Sequence, residues 1–292
     1  MTKTLDAVPA LAPLYAKAAV GAAKKRPNSV ELSVPELAVR GVAVPADRDA
    51  EFRAVAGAPA ADEAFFGHVH SLIMPVQMQL MAADDFPLPM MGLVHTDNTY
   101  RQLAPVPLDS TVDLEVRVDG FRAHRAGTEV VLAARVTEAG GDRVLVEEES
   151  VYLAKGVRLK DAAEATPSER TRFRAPRPTA LWRLPAGTGR RWAKISGDWN
   201  PIHITGLTAK ALGMPGAIAH GMYTASRALA ESGIPAGKRW EFAISFGAPV
   251  TLPATVPVAI TRAGRPGEPA MDIVAWNRKK KRAHFTGSVR PV

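Results

Sequence analysis

The sequence predicts an α+β protein built from a duplicated unit, in which one sheet wraps one helix and the arrangement occurs twice. Three observations predict it. The chain has 292 residues, about twice the ~150 that serve as a prior for one domain. A helical stretch followed by Val- and Leu-rich strands occurs twice, in the same order. Two short segments also reappear at nearly constant spacing. Residues 105–112 match 249–256 in five of eight places at an offset of 144, and residues 52–57 parallel 192–197 at an offset of 140. A four-residue loop difference reconciles the two offsets.

Residues 1–30 form an Ala-rich lead, helical from 11 to 25 and stopped at Arg26-Pro27, where proline disfavours further helix. The first half spans 31–160. Its helix covers 66–84, with Leu72, Ile73, Val76, Leu80 and Met81 on an apolar face and Phe86-Pro87 beyond. Strands follow at 111–118, 128–136 and 143–154, the first alternating Val112, Leu114, Val116 and Val118. Residues 161–180, with three prolines and dense charge, read as a linker. The second half spans 181–292. A short helix near 208–212 precedes an Ala-rich helix over 220–232 that stops at Gly233-Ile234-Pro235. Strands follow at 242–246, 255–262, 271–276 and 282–289, with Arg278-Lys279-Lys280-Lys281-Arg282 at the last hairpin tip.

Composition narrows the chemistry. Hydrophobic residues make up 47% and charged residues 23%, as in an ordinary globular chain. No apolar run reaches the ~18 residues of a membrane span, and Asp6, Pro9 and Pro13 stand where a secretory leader needs apolar residues. A cytoplasmic protein that engages no membrane is expected. Without cysteine, disulfides, thiolate metal sites and cysteine nucleophiles are excluded. The net charge of +8 favours anionic partners. Neither basic cluster, Lys24-Lys25-Arg26 or residues 278–282, is interleaved with aromatic residues that stack bases, so no nucleic acid is expected.

The richest stretch is Ser196-Gly197-Asp198-Trp199-Asn200-Pro201-Ile202-His203, with Ala219-His220-Gly221-Met222 after it. Pro201 forbids regular helix and restrains Asn200, so Asp198 and His203 sit on an irregular segment. An acid and a neutral imidazole there suit the holding of one water and the movement of its protons. A plain polar turn is the alternative reading of the same residues.

The pattern Ser196-Gly197-Asp198-x-Asn200-Pro201-x-His203, with His220-Gly221-Met222 downstream, resembles the signature of the MaoC-like (R)-specific enoyl-thioester hydratases and 3-hydroxyacyl-thioester dehydratases. The likeness covers 181–292 and, more faintly, 31–160. It implies a double hotdog, two antiparallel sheets each wrapped around a central helix, with the second half catalytic. It also implies reversible hydration of trans-2-enoyl thioesters of coenzyme A or acyl carrier protein in fatty-acid metabolism, with no cofactor and no metal. Asp198 and His203 would hold the water, Asn200 would support their geometry, and the Gly221 N–H would face the thioester oxygen. One departure is Pro253-Ala254, where many relatives carry Gly-Asp. A homodimer is left open.

Several residues carry blander readings. His220 reads as a side chain packed at a helix start. His68-Val69-His70 has no third ligand near it in sequence. Met74, Met78, Met81, Met90 and Met91 suit either core filling or a lipid-facing wall. Extending the offsets without gaps sets Ala58 opposite Asp198, Glu63 opposite His203 and Gln77 opposite Gly221, so the first half lacks the pair and is expected to be scaffold. Two other functions compete. An acyl-thioester hydrolase would use Ser196, Asp198 and His203, all in one loop and without a Gly-x-Ser-x-Gly elbow. A catalytically silent acyl-CoA-binding module would rest on charge alone.

Overall fold

The computed structural model describes residues 2–21, 26–164, 173–234, 236–264 and 270–292. A lead of β1 (Thr2–Leu5) and α1 (Leu11–Val20) comes first. The first half follows as β2 (Glu36–Val44), α2 (Ala46–Ala56), α3 (Phe66–Met81), β3 (Val94–Gln102), β4 (Ser110–His124), β5 (Gly127–Glu138) and β6 (Val144–Lys155). The second half has β7 (Ala180–Leu184), α4 (Thr188–Ser196), a 3-10 turn (Pro201–His203), α5 (Gly206–Ala211) and α6 (Gly221–Ser232). It ends with β8 (Trp240–Phe246), β9 (Ala254–Arg262), β10 (Met271–Asn277) and β11 (Arg282–Pro291).

The strands form one sheet in the order β1-β2-β4-β5-β6-β3-β8-β11-β10-β9-β7. Apart from β1, which pairs parallel to β2, the order reads the same from either end once each strand is replaced by its counterpart. The halves meet where β3 pairs antiparallel with β8, and Thr99 lies opposite Ala243, its own counterpart at an offset of 144. The pseudo-twofold axis passes through that pair. This is the duplicated α+β architecture, a double hotdog, with α3 and α6 as the two wrapped helices.

The repeat extends to hydrogen bonds. α2 and α4 end on left-handed glycines, Gly57 (φ 78°) and Gly197 (φ 75°). The Glu63–Pro107 bridge matches Ile218–Thr251, and Ala64 N–H to Val106 O matches Ala219 N–H to Val250 O. These pairs correct the gap-free alignment. Glu63 corresponds to Ile218, not His203, and the start of α3 at Phe66, not Gln77, corresponds to Gly221. The offset grows from 140 to 155 and then falls to 144, so two large length changes of opposite sign hide behind a difference of four. Residues 198–217 separate Gly197 from Ile218, where only 58–62 separate Gly57 from Glu63. Asp198, Asn200 and His203 all lie in this longer connection.

Packing explains the helices. Pro75 lies inside α3 and costs about 3 kcal/mol there. Phe66, Val69, Ile73 and Val76 on the same helix are fully buried, each stabilising by ~1.5–3 kcal/mol, so burial outweighs the proline. A Cβ on Gly67 would stand 2.6 Å from Ser226 Oγ, and its absence lets α3 and α6 meet closely. A second apolar cluster seats Leu11, Leu14 and Ala18 of α1 on Met74, Met81 and Met90, with Met78 and Met91 packed against it. The methionines therefore fill core beneath the lead helix.

Several expectations change in detail. α1 ends at Val20, and Lys24 and Lys25 lie outside the described residues, as does Pro235. The stretch read as a linker is partly structured, since Ala163 bridges to Arg122 and β7 already begins at Ala180. β1, β2, β3, β7, α2 and α4 were not anticipated. Among the described residues no helix is long and apolar enough to cross a membrane.

Candidate active site

The left-handed turn at Gly197 ends α4 and reverses the chain. The Asp198 N–H then donates to Ser196 Oγ (3.2 Å). Asn200 caps the 3-10 turn, its Oδ1 accepting the Ile202 N–H at 3.3 Å, while its own N–H donates to Asp198 Oδ1 at 3.2 Å. Pro201 at the first position presets the turn that carries His203. Gly189 of α4 lies directly beneath, where a Cβ would stand only 2.0 Å from the His203 carbonyl oxygen.

His203 donates from Nδ1 to the Ile218 carbonyl at 2.9 Å, which leaves Nε2 as the ring's acceptor. His220 stands at the residue before α6, and its ring stacks on that of His203, centroids 3.7 Å apart. The His220 Nε2 lies 3.0 Å from the Asp198 carbonyl oxygen and 3.7 Å from Oδ2, and its Nδ1 is buried without a partner. One ligand-type atom from each of Asp198, His203 and His220 lies within 4.8 Å of the others, close enough to share one water. Asp198 keeps 19% of its side-chain exposure, so solvent reaches the cluster.

The field is set by burial and donors. Burial alone would raise the Asp198 carboxyl, but His220, His203, the Tyr15 hydroxyl and the Asn200 N–H outweigh it and hold the group below its ordinary range. Burial lowers His203 despite the neighbouring carboxylate. It also lowers His220 to about 3, with His203 acting in the same direction. At neutral pH the cluster is thus a carboxylate between two neutral imidazoles.

Gly221 is the first residue of α6, beside His220, where helix N–H groups have no intrahelical partner. A Cβ there would meet the Phe246 ring at 3.2 Å, so glycine permits that ring to cover the helix start. The structure thus brings Asp198, Asn200 and His203 into one loop cluster, with Gly221 adjoining it through His220.

Three neighbours, Tyr15, Tyr152 and His95, went unrecognised in the sequence. Tyr15 donates its hydroxyl to Asp198 Oδ1 at 2.6 Å, across 183 residues of chain that give no local signal. Tyr152 is buried nearby and donates to Gln77 Oε1 at 3.1 Å. His220 packs at the helix start as expected, yet its ring also meets His203; its place directly before Gly221 was the available signal. His95 stacks on Tyr152 (4.4 Å) and leans on Phe246 (5.4 Å), so the first half reaches the site. Ser196 donates to the Trp192 carbonyl at 2.9 Å and receives the Asp198 N–H, and it makes no hydrogen bond to His203 of the kind a nucleophile needs. His68 and His70 diverge, toward Asp49 and Glu148 respectively.

The family model of the MaoC like domain matches residues 162–291. The 3-hydroxyacyl-thioester dehydratase X of Mycobacterium tuberculosis is 31% identical over 276 residues, covering 94% of this chain and 95% of that protein. The chain belongs to the MaoC-like dehydratase family. The crystal structure of HtdX from Mycobacterium tuberculosis is similar to this MaoC-like chain with a TM-score of 0.73 at 29% identity, over 88% of this chain and 100% of that one. A further Mycobacterium tuberculosis structure, described as a double hotdog fold, matches at a TM-score of 0.54 and 14% identity over 86% of this chain and 93% of that one. That last likeness speaks to fold alone. Asp198, His203 and His220 lie inside the matched domain, whereas Tyr15, His95 and Tyr152 of this MaoC-like chain lie outside it.

Proposed function

We propose that this MaoC-like chain is a hydro-lyase that adds water reversibly across trans-2-enoyl thioesters, giving (R)-3-hydroxyacyl thioesters of coenzyme A or acyl carrier protein in fatty-acid metabolism. The convergence of Asp198, His203 and His220 within 4.8 Å carries the reading, and the similarity to a 3-hydroxyacyl-thioester dehydratase supports it. Asp198 Oδ2 and His203 Nε2 hold the water. As its oxygen bonds to C3, the pair takes one of its protons and returns a proton to C2; dehydration runs the same path backward. Asn200 positions the carboxylate through its N–H. The Gly221 N–H, at the positive end of α6, faces the thioester oxygen as that oxygen gains negative charge.

The test follows the conjugated enoyl-thioester absorbance and free thiol together, on coenzyme A and acyl-carrier substrates of several lengths. Loss of absorbance without thiol supports the hydratase. Thiol release identifies a hydrolase and no change a silent binder, and either refutes the reading.

A further inference from the structure

We propose that Tyr15, on the lead helix outside the matched domain, is a positioning residue that holds the Asp198 carboxylate in its working orientation. The inference rests on the hydratase reading of Asp198. The Tyr15 hydroxyl donates to Oδ1 at 2.6 Å, the short range of a charge-assisted bond. With the Asn200 N–H on the same atom at 3.2 Å, Oδ1 is satisfied and Oδ2 is left toward His220 and the water position. A carboxylate with one free oxygen offers the water a single acceptor in a fixed place.

The lead helix is anchored to do this. Leu11 and Leu14 are buried in the methionine cluster, β1 pairs with β2, and a Cβ on Gly197 would lie 3.6 Å from Leu11 Cδ1. α1 therefore rests on the core of the first half and on the reactive loop of the second. Burial and the adjacent Asp198 charge push the Tyr15 hydroxyl far above its ordinary range, so it keeps its proton and acts as a donor only. The titratable groups facing Asp198 are His203 on the 3-10 turn, His220 at the start of α6, Tyr15 on α1 and Tyr152 on β6.

Tyr15→Phe keeps the ring and removes the donor. Turnover is expected to fall roughly 10- to 100-fold, the effect of one hydrogen bond to a charged group, with KM within about twofold. Because the lost donor favoured the charged carboxylate, the acid limb of kcat should move to higher pH. p-Aminophenylalanine at position 15, which restores a donor at the same reach, should recover most of the turnover. Unchanged turnover and acid limb, a rise in KM alone, or an increase in turnover would each overturn the proposal, the last by making the hydroxyl a competitor of the water. If Tyr15→Phe loses its cooperative melt, the p-aminophenylalanine protein decides: folded with turnover and acid limb near wild type it supports the role, and folded but slow it overturns it. Asp198→Asn is measured beside them. Full turnover there refutes the hydratase reading itself, whereas a slow Asp198→Asn with an unaffected Tyr15→Phe refutes only the role of Tyr15.

Discussion

Asp198→Asn separates charge from shape at the proposed reactive carboxylate. Oδ1 accepts from both Tyr15 and Asn200, so the amide oxygen occupies that position and its NH₂ takes the place of Oδ2. The water then meets a donor where it had an acceptor, while both local hydrogen bonds survive. A positioned acid-base group contributes ~10² to 10⁴ in rate, and loss within that range is expected in kcat on enoyl thioesters, with KM little changed. The substitution keeps the Tyr15 and Asn200 donors paired, so a cooperative thermal unfolding transition should persist. His203→Ala should give a loss of the same order. A folded Asp198→Asn protein that kept more than half of wild-type turnover would refute the assignment.

Three further outcomes follow from the same structure. His95 and His220, buried and held near 3, bind protons only when unfolded as pH falls below ~6.5, so each removes up to about 1.4 kcal/mol of stability per pH unit from there down toward 3. Calorimetry should show the melting temperature falling from pH 7 to pH 5 and His95→Phe flattening the slope; a flat wild-type profile would refute this. Glu63→Ala removes an acceptor from Gln102 and Gly237, 3.0 Å from each, and should cost about 1 kcal/mol of stability with turnover within twofold; a loss like that of His203→Ala would place chemistry in the first half. Changing Lys279, Lys280 and Lys281 together to Ser should raise KM for coenzyme A thioesters at low salt and leave pantetheine thioesters unaffected, because exposed charges act on capture over a Debye length of ~8 Å; an equal effect on both would make the run an ordinary solvated turn.

Much of this was legible because local chemistry forced it. Alternating Val112, Leu114 and Val116 could only be a half-buried strand, and Gly57 and Gly197 recur because both helices need a left-handed stop. Pro201 after Asn200 announced the irregular turn that carries His203. What stayed hidden depended on contacts remote in sequence or on lengths. β3, with Asp97, Asn98, Thr99 and Arg101, lacks an apolar rhythm because its pairing with β8 at the pseudo-twofold axis, not its composition, holds it extended. The gap-free alignment failed because loop lengths are weakly constrained energetically, so an added stretch and a later shortening left only four residues of visible difference. Gln77 thereby lost its role as the counterpart of Gly221 and emerged as the acceptor that holds Tyr152 beside the site.

The asymmetry of the two halves has a structural origin in that one longer connection. Both halves offer the same helix-start bridge, Glu63 to Pro107 and Ile218 to Thr251, and both place a wrapped helix directly after it. Between Gly57 and Glu63 there is room for a bare turn; between Gly197 and Ile218 the added residues form a 3-10 turn and α5. Ile218 then serves twice, its backbone bridging Thr251 and its carbonyl fixing the tautomer of His203. The shared frame supplies rigidity and the added loop carries Asp198, Asn200 and His203, an arrangement suited to holding the proposed reacting groups within tight tolerance. The first half, freed of that loop, contributes from the opposite side: His95 leans on Phe246 and stacks on the buried Tyr152, and the lead helix resting on its methionines delivers Tyr15 to Asp198. On the proposed reading, one half makes the chemistry and the other completes its walls.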